Sequence, residues 1–234
     1  LKMINSSDPQ RITSAGLIGT AYFYFELKLM ARFATLLGKT DDARAFLKTA
    51  EEMKTAFNTR YLDQVEVKYS NNTCTANILA LAFGLVPAEH QSRIVDNLLQ
   101  KILSENNGHV GNGIVGGQWL MRSLTNSGHA DVAYTLAAQK TYPSWGYMVD
   151  QGATTIWELW NGDHGDPGMN SGNHVMLLGD LLIWYYENLA GIKNDPEIPG
   201  FKHILMKPYI LGDLTSVDAS FNSIYGMIKS AWKL

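Results

Sequence analysis

The residues best suited to chemistry crowd into one stretch, 140–172, which holds Tyr142, Trp145, Tyr147, Trp157, Glu158, Trp160, Asp163, His164 and Asp166. Aromatic faces offer rigid apolar surface with polar tips. Sugars present apolar C–H faces and polar edges, so such a stretch suits them; sealing the end of a helical barrel is the plainer use. Glu158 lies between Trp157 and Trp160. A carboxylate walled by indoles loses hydration, which raises its pKa and suits a general base or acid near neutral pH. A salt bridge or a helix-terminal carboxylate is the bland alternative. His174, next to Asn173, opens an apolar run. Its ring suits either a substrate hydroxyl or a backbone group. His164 and His174 match no compact metal spacing, and no third ligand accompanies them. Residues 161–166 lack the ligand series and final glutamate of a calcium loop. Phosphate-loop, nucleophile-elbow and His-Glu-x-x-His motifs are absent. No metal and no cofactor is expected.

The elements that must position these residues read as helices. Residues 14–37 are apolar on nearly every side, which predicts a helix buried all round. Gly38 fits its C-terminal cap and Thr40 the next N-cap. Over 41–61, Ala43, Phe46, Leu47, Ala50, Met53 and Phe57 form a single stripe, with charge opposite. The alternation repeats: 75–85 is apolar all round, and 87–104 is one-faced, with Pro87 in its first turn. Further helices are predicted over 116–127, 129–139 and 173–189. Buried and exposed helices in alternation predict an α/α toroid of helical hairpins. A solenoid would keep a near-fixed period, and the apolar helices here are unevenly spaced. Their N-terminal ends would share one rim, fed by loops 70–74, 108–117 and 140–172.

After Gly191 the pattern changes. Residues 194–200 read as a linker, and 201–210 and 214–234 as strands, with turn signals at Asn222-Ser223 and Tyr225-Gly226. The expected organisation is a partial α/α-barrel over 1–192, a linker over 193–200 and the start of a β-domain over 201–234. An unfinished sheet exposes its edges, so more chain or a partner is expected, and a homo-oligomer is compatible with this. The chain has 234 residues, 46% hydrophobic, with a net charge of −3. There is no basic excess to neutralise phosphates, so nucleic acid is not an expected partner. Nor is a membrane, since the greasiest stretch, 17–37, carries Glu26, Lys28 and Arg32. The single cysteine, Cys74, cannot form an intrachain disulfide and leaves the compartment open. The first residue is Leu1, not Met, so the lack of a signal peptide carries no meaning.

Two blocks are specific: Tyr142-Pro143-Ser144-Trp145-Gly146-Tyr147-Met148, and Gly152-Ala153-Thr154-Thr155-Ile156-Trp157-Glu158-Leu159-Trp160. With Asn173-His174 before an apolar run and Pro199-Gly200-Phe201-Lys202-His203-Ile204 before strands, the whole chain resembles bacterial α-L-rhamnosidases of glycoside hydrolase family 78. The resemblance implies a mainly α fold, part of an (α/α)6 toroid followed by the first strands of a β-sandwich. It implies removal of terminal α-L-rhamnose from rhamnose-containing glycosides by an inverting mechanism. It casts Glu158 as general base and His174 as a contact to the bound rhamnose. The resemblance also implies Trp160 as a wall of the pocket and Asn173 and Trp145 as members of the substrate-binding set. Leu159 departs from the family, in which that position is often basic. The family's general acid lies upstream of the matching segment, so these residues alone are expected to be inactive. A glycosidase of the same fold acting on another sugar, a non-catalytic carbohydrate-binding relative and a solenoid scaffold are the competing readings.

Overall fold

The computed structural model describes residues 12–166, 168 and 171–234. The chain divides into two compact units, the first ending at Trp119 and the second spanning Leu120–Leu234.

The first unit is built from helical hairpins. Helix α1 (Ala15–Leu36) starts where the Ser14 hydroxyl accepts from the Leu17 N–H. It ends in a Schellman turn, in which Gly38 N–H donates to Thr35 O and Lys39 N–H to Ala34 O. Helix α2 (Thr40–Tyr61) follows at once. Thr40 is its first residue and Lys39 its cap, so the predicted N-cap shifts by one position. The predicted stripe holds in part: Ala43, Ala50 and Phe57, seven residues apart, are buried and Phe46 and Met53 pack against them, but Leu47 is exposed. A small hairpin, β1 (Leu62–Asp63) with β2 (Lys68–Tyr69), leads to α3 (Cys74–Ala82). Every α3 residue from Cys74 to Ala80 is buried, as its all-round apolar pattern predicts. A 3-10 turn (Ala88–His90) after Pro87 opens α4 (Gln91–Leu99), which continues as a π segment (Gln100–Glu105). Ile94, Val95, Leu98 and Ile102 form its buried face. The short α5 (Ile114–Gly117) closes the unit.

The burial predicted for α1 is corrected. Leu17, Ala21, Tyr24, Leu27, Ala31 and Ala34 form a single buried face, while Phe23, Met30 and Phe33 are about half exposed. Helix α1 packs on α2 and α3, and Trp119 adds an edge-to-face contact with Phe25 and an indole N–H donated to Tyr22 OH at 3.0 Å, while Phe23, Met30 and Phe33 stay largely in solvent.

The second unit begins with α6 (Leu120–Asn126) and α7 (Ala130–Ala138). The single helix expected over 116–127 is therefore two short ones. Within 140–172, read as loop, lies α8 (Trp145–Asp150), capped by the Ser144 hydroxyl, which accepts from Tyr147 N–H at 2.9 Å. The long helix expected over 173–189 is broken. A 3-10 turn (Val175–Leu178) stops at Gly179, whose φ of 62° and ψ of −133° favour glycine. Then α9 (Leu181–Trp184) runs into a π segment (Tyr185–Leu189). Nor is this stretch buried all round, since Val175 and Leu182 are exposed. Asp180, at 1% exposure, accounts for the break. Its carboxylate accepts from Met121 N–H (3.1 Å), Arg122 N–H (3.0 Å) and Arg122 Nε (3.2 Å), capping α6 from a distance. The indole of Trp184 adds a second tie, donating to Thr125 Oγ1 at 2.7 Å.

Strands complete the unit. β3 (Ile192–Asn194) pairs antiparallel with β4 (Ile204–Met206), and β5 (Ser216–Ser223) with β6 (Gly226–Lys233). The strand expected over 201–210 shortens to three residues. The second hairpin turns at Ile224-Tyr225, overlapping the second of the two turn signals. Ile228 packs with Ala190 and Ile192, and Trp232 Nε1–H donates to Leu189 O at 2.9 Å. No helix among the described residues is long and apolar enough to cross a membrane.

Candidate active site

All five expected site residues, Trp145, Glu158, Trp160, Asn173 and His174, lie in the second unit. Glu158 sits in irregular backbone, so main-chain bonds must hold it in place. Glu158 N–H donates to Ser171 O at 2.9 Å, and Ser171 N–H returns a bond to Glu158 Oε2, also at 2.9 Å. One bond fixes the backbone and the other aims the carboxylate. A second cross-tie sits just outside: His174 N–H donates to Ile156 O at 2.6 Å, and the Thr155 hydroxyl donates to Gly172 O. Segments 155–158 and 171–174 are thus held side by side. The result is that His174 Nδ1 stands 3.8 Å from Glu158 Oε2. The Glu158 side chain keeps 34% of its surface in solvent and that of His174 21%. The predicted walling-off of the carboxylate is therefore partial: water can reach it.

The other residues have different stations. Asn173 is exposed, and its backbone bonds to Ser171 Oγ through both N–H and C=O, at 3.2 Å each. Trp160 is half-buried and meets Trp145 edge to face, with ring centroids 5.5 Å apart. Trp145 is buried, and its Nε1–H donates to Leu177 O at 3.0 Å. It stands behind Trp160, with little surface left to offer a ligand.

Sequence reasoning missed two features. Ser171 carries the Glu158 clasp, but a lone serine in a glycine-rich loop gives no local signal. The second is a cluster in which Tyr147 OH donates to Asp163 Oδ2 at 3.2 Å and His164 Nδ1 lies 3.2 Å from the same oxygen. Tyr142 packs on Tyr147 edge to face. Burial, and then the Asp163 carboxylate, push both phenols above their usual pKa. The abundance of these types in 140–172 was visible; their pairing was not. Among the described residues no group of three His, Cys, Asp or Glu side chains is arranged to hold a metal ion.

A carboxylate beside an imidazole, with aromatic rings nearby and water access, can accept a proton from a bound water or hydroxyl. Family comparison narrows the chemistry. Residues 2–189 match the model described as the bacterial alpha-L-rhamnosidase 6 hairpin glycosidase domain, and residues 191–234 match the bacterial alpha-L-rhamnosidase C-terminal domain. The chain belongs to the bacterial α-L-rhamnosidase family. An alpha-L-rhamnosidase of Streptomyces avermitilis is 36% identical over 98% of this chain and 22% of its own length. One from Formosa agariphila is 37% identical over 95% of this chain and 24% of its own. The chain therefore spans about a quarter of the length of the curated rhamnosidases it matches. The crystal structure of the Streptomyces avermitilis alpha-L-rhamnosidase complexed with L-rhamnose matches 95% of this chain and 21% of its own, with a TM-score of 0.88 and 36% identity. The alpha-L-rhamnosidase of Dictyoglumus thermophilum matches 92% of this chain and 24% of its own, with a TM-score of 0.86 and 35% identity. The expected fold class stands: part of a rhamnosidase (α/α)6 toroid, followed by the first strands of the C-terminal β-domain.

Proposed function

We propose that this chain belongs to an enzyme that removes terminal α-L-rhamnose from rhamnose-containing glycosides with inversion, and that Glu158 is its general base. The observation that carries this reading is the Glu158–His174 approach at 3.8 Å, held by the Ser171 clasp, in a chain of rhamnosidase sequence. In the proposed step, a water at Glu158 gives its proton to the carboxylate. The water oxygen bonds to the anomeric carbon from the face opposite the leaving oxygen, and a second carboxyl group protonates that leaving oxygen. Inversion requires the two carboxyl groups to be about 6.5–9.5 Å apart, which leaves room for the water. The second carboxyl is assigned to a segment outside these residues. His174 contacts the sugar beside the base, Trp160 offers an apolar ring to its C–H face, and exposed Asn173 lies within reach of a hydroxyl. The family matches, 2–189 and 191–234, support a division between a catalytic and a β-domain near residue 190.

The test compares the full-length enzyme with its Glu158→Gln variant on an aryl α-L-rhamnoside, with the product anomer followed by NMR. We expect β-rhamnose as first product and a loss on the order of 10²-fold or more in kcat for the variant. An unchanged rate would move the base elsewhere, and α-rhamnose as first product would overturn inversion.

A further inference from the structure

We infer that Trp145 is a positioning residue: its indole fixes the turn that presents His174 and backs the Trp160 ring, and it does not itself touch the sugar. This inference rests on the site reading above. The turn after His174, Val175–Leu178, is poorly anchored by its own side chains. Val175 is 67% exposed and Met176 47%, and only Leu177 is buried. A short 3-10 turn with half its side chains in solvent keeps its place through bonds from outside. The structure supplies three, the first being the His174 N–H bond to Ile156 O on the N-terminal side. On the C-terminal side the buried Asp180 carboxylate is clamped by the start of α6. Within the turn itself, Trp145 Nε1–H donates to Leu177 O, three residues from His174, and His174 O in turn accepts from Leu177 N–H at 3.1 Å.

Trp145 is well placed to serve as a fixed point. It is the first residue of α8, whose cap is the buried Ser144 hydroxyl. At the next residue, Gly146, an added Cβ would lie 2.3 Å from Gln139 O, so the helix start is pressed against the preceding backbone. The same indole also meets the Trp160 ring edge to face. A single buried side chain thus sets two surfaces facing the sugar, the His174 turn and the Trp160 ring. At 8% exposure it has almost no face of its own to offer.

The experiment is a double-mutant cycle in the full-length enzyme, with Trp145→Phe and His174→Ala separately and together. Phenylalanine keeps a ring in the slot and removes the N–H; Trp145→Tyr is run as a second variant. KM and kcat for an aryl α-L-rhamnoside are read in each background. We expect W145F to raise KM about tenfold with a smaller change in kcat, and to change KM by less than about twofold once H174A is present. Equal factors in both backgrounds, or no change in KM with W145F and W145Y, would overturn the inference while leaving the site reading intact. A silent H174A would sink the site reading and this inference together.

Discussion

At the scale of single residues, the site depends on main-chain bonds more than on side-chain packing. Glu158 is aimed by a backbone N–H, and its neighbour His174 is tied by its own N–H to Ile156 O. Glu158 and His174 stand out as candidates in the sequence because their flanking blocks are specific. The stations of Trp145 and Ser171 do not, because a clasp between residues 13 or 32 positions apart leaves no pattern in local spacing. Cys74 gives a residue-scale prediction of another kind. It is 3% exposed, and burial pushes its thiol up from 9.0 to about 11. The unfolded chain releases this proton at lower pH than the folded one. The stability gained is therefore complete below about pH 9 and lost as pH rises towards about 11. Cys74→Ala should flatten that alkaline loss in urea titrations, and the native thiol should resist a disulfide reagent at pH 8. Rapid labelling of the folded protein would show that the burial is not maintained.

Elements were legible where one-faced or all-round patterns met the neighbours they call for. α2 and α3 are such cases: most of the stripe of one and the uniform burial of the other follow from composition. α1 differed because an apolar surface records what must be covered, whereas Phe23 and Phe33 lack that cover among the described residues. The break at Gly179-Asp180 was hidden inside Leu177-Leu178-Gly179-Asp180-Leu181-Leu182, where four leucines outweigh two punctuating residues. The bend nonetheless rests on glycine. Gly179→Ala forces a side chain into φ 62°, ψ −133°. It should cost about 1–3 kcal/mol, read as a lower urea midpoint at unchanged slope. An unchanged midpoint would mean that the bend relaxes into another conformation at little cost.

For the whole molecule, the sequence pattern pointed to hairpins followed by strands, and the family match agrees. What it could not supply is the complement, since the chain spans about a quarter of its relatives. With the second carboxyl assigned outside these residues, the 234 residues alone should hydrolyse no aryl α-L-rhamnoside. Turnover by them alone, checked with Glu158→Gln as control, would require a second acid within them.

The candidate site is also short in chain terms. Ser171 closes on Glu158 across 13 residues, Trp145 on Leu177 across 32 and Asp180 on Met121 across 59. The entropy of closing a loop grows only slowly with length, by about 0.6 kcal/mol for each doubling. These three closures therefore nest, each long one shortened by the one inside it. The carboxylate and its imidazole can find each other within one contiguous stretch, in whatever order more distant parts of the enzyme take shape.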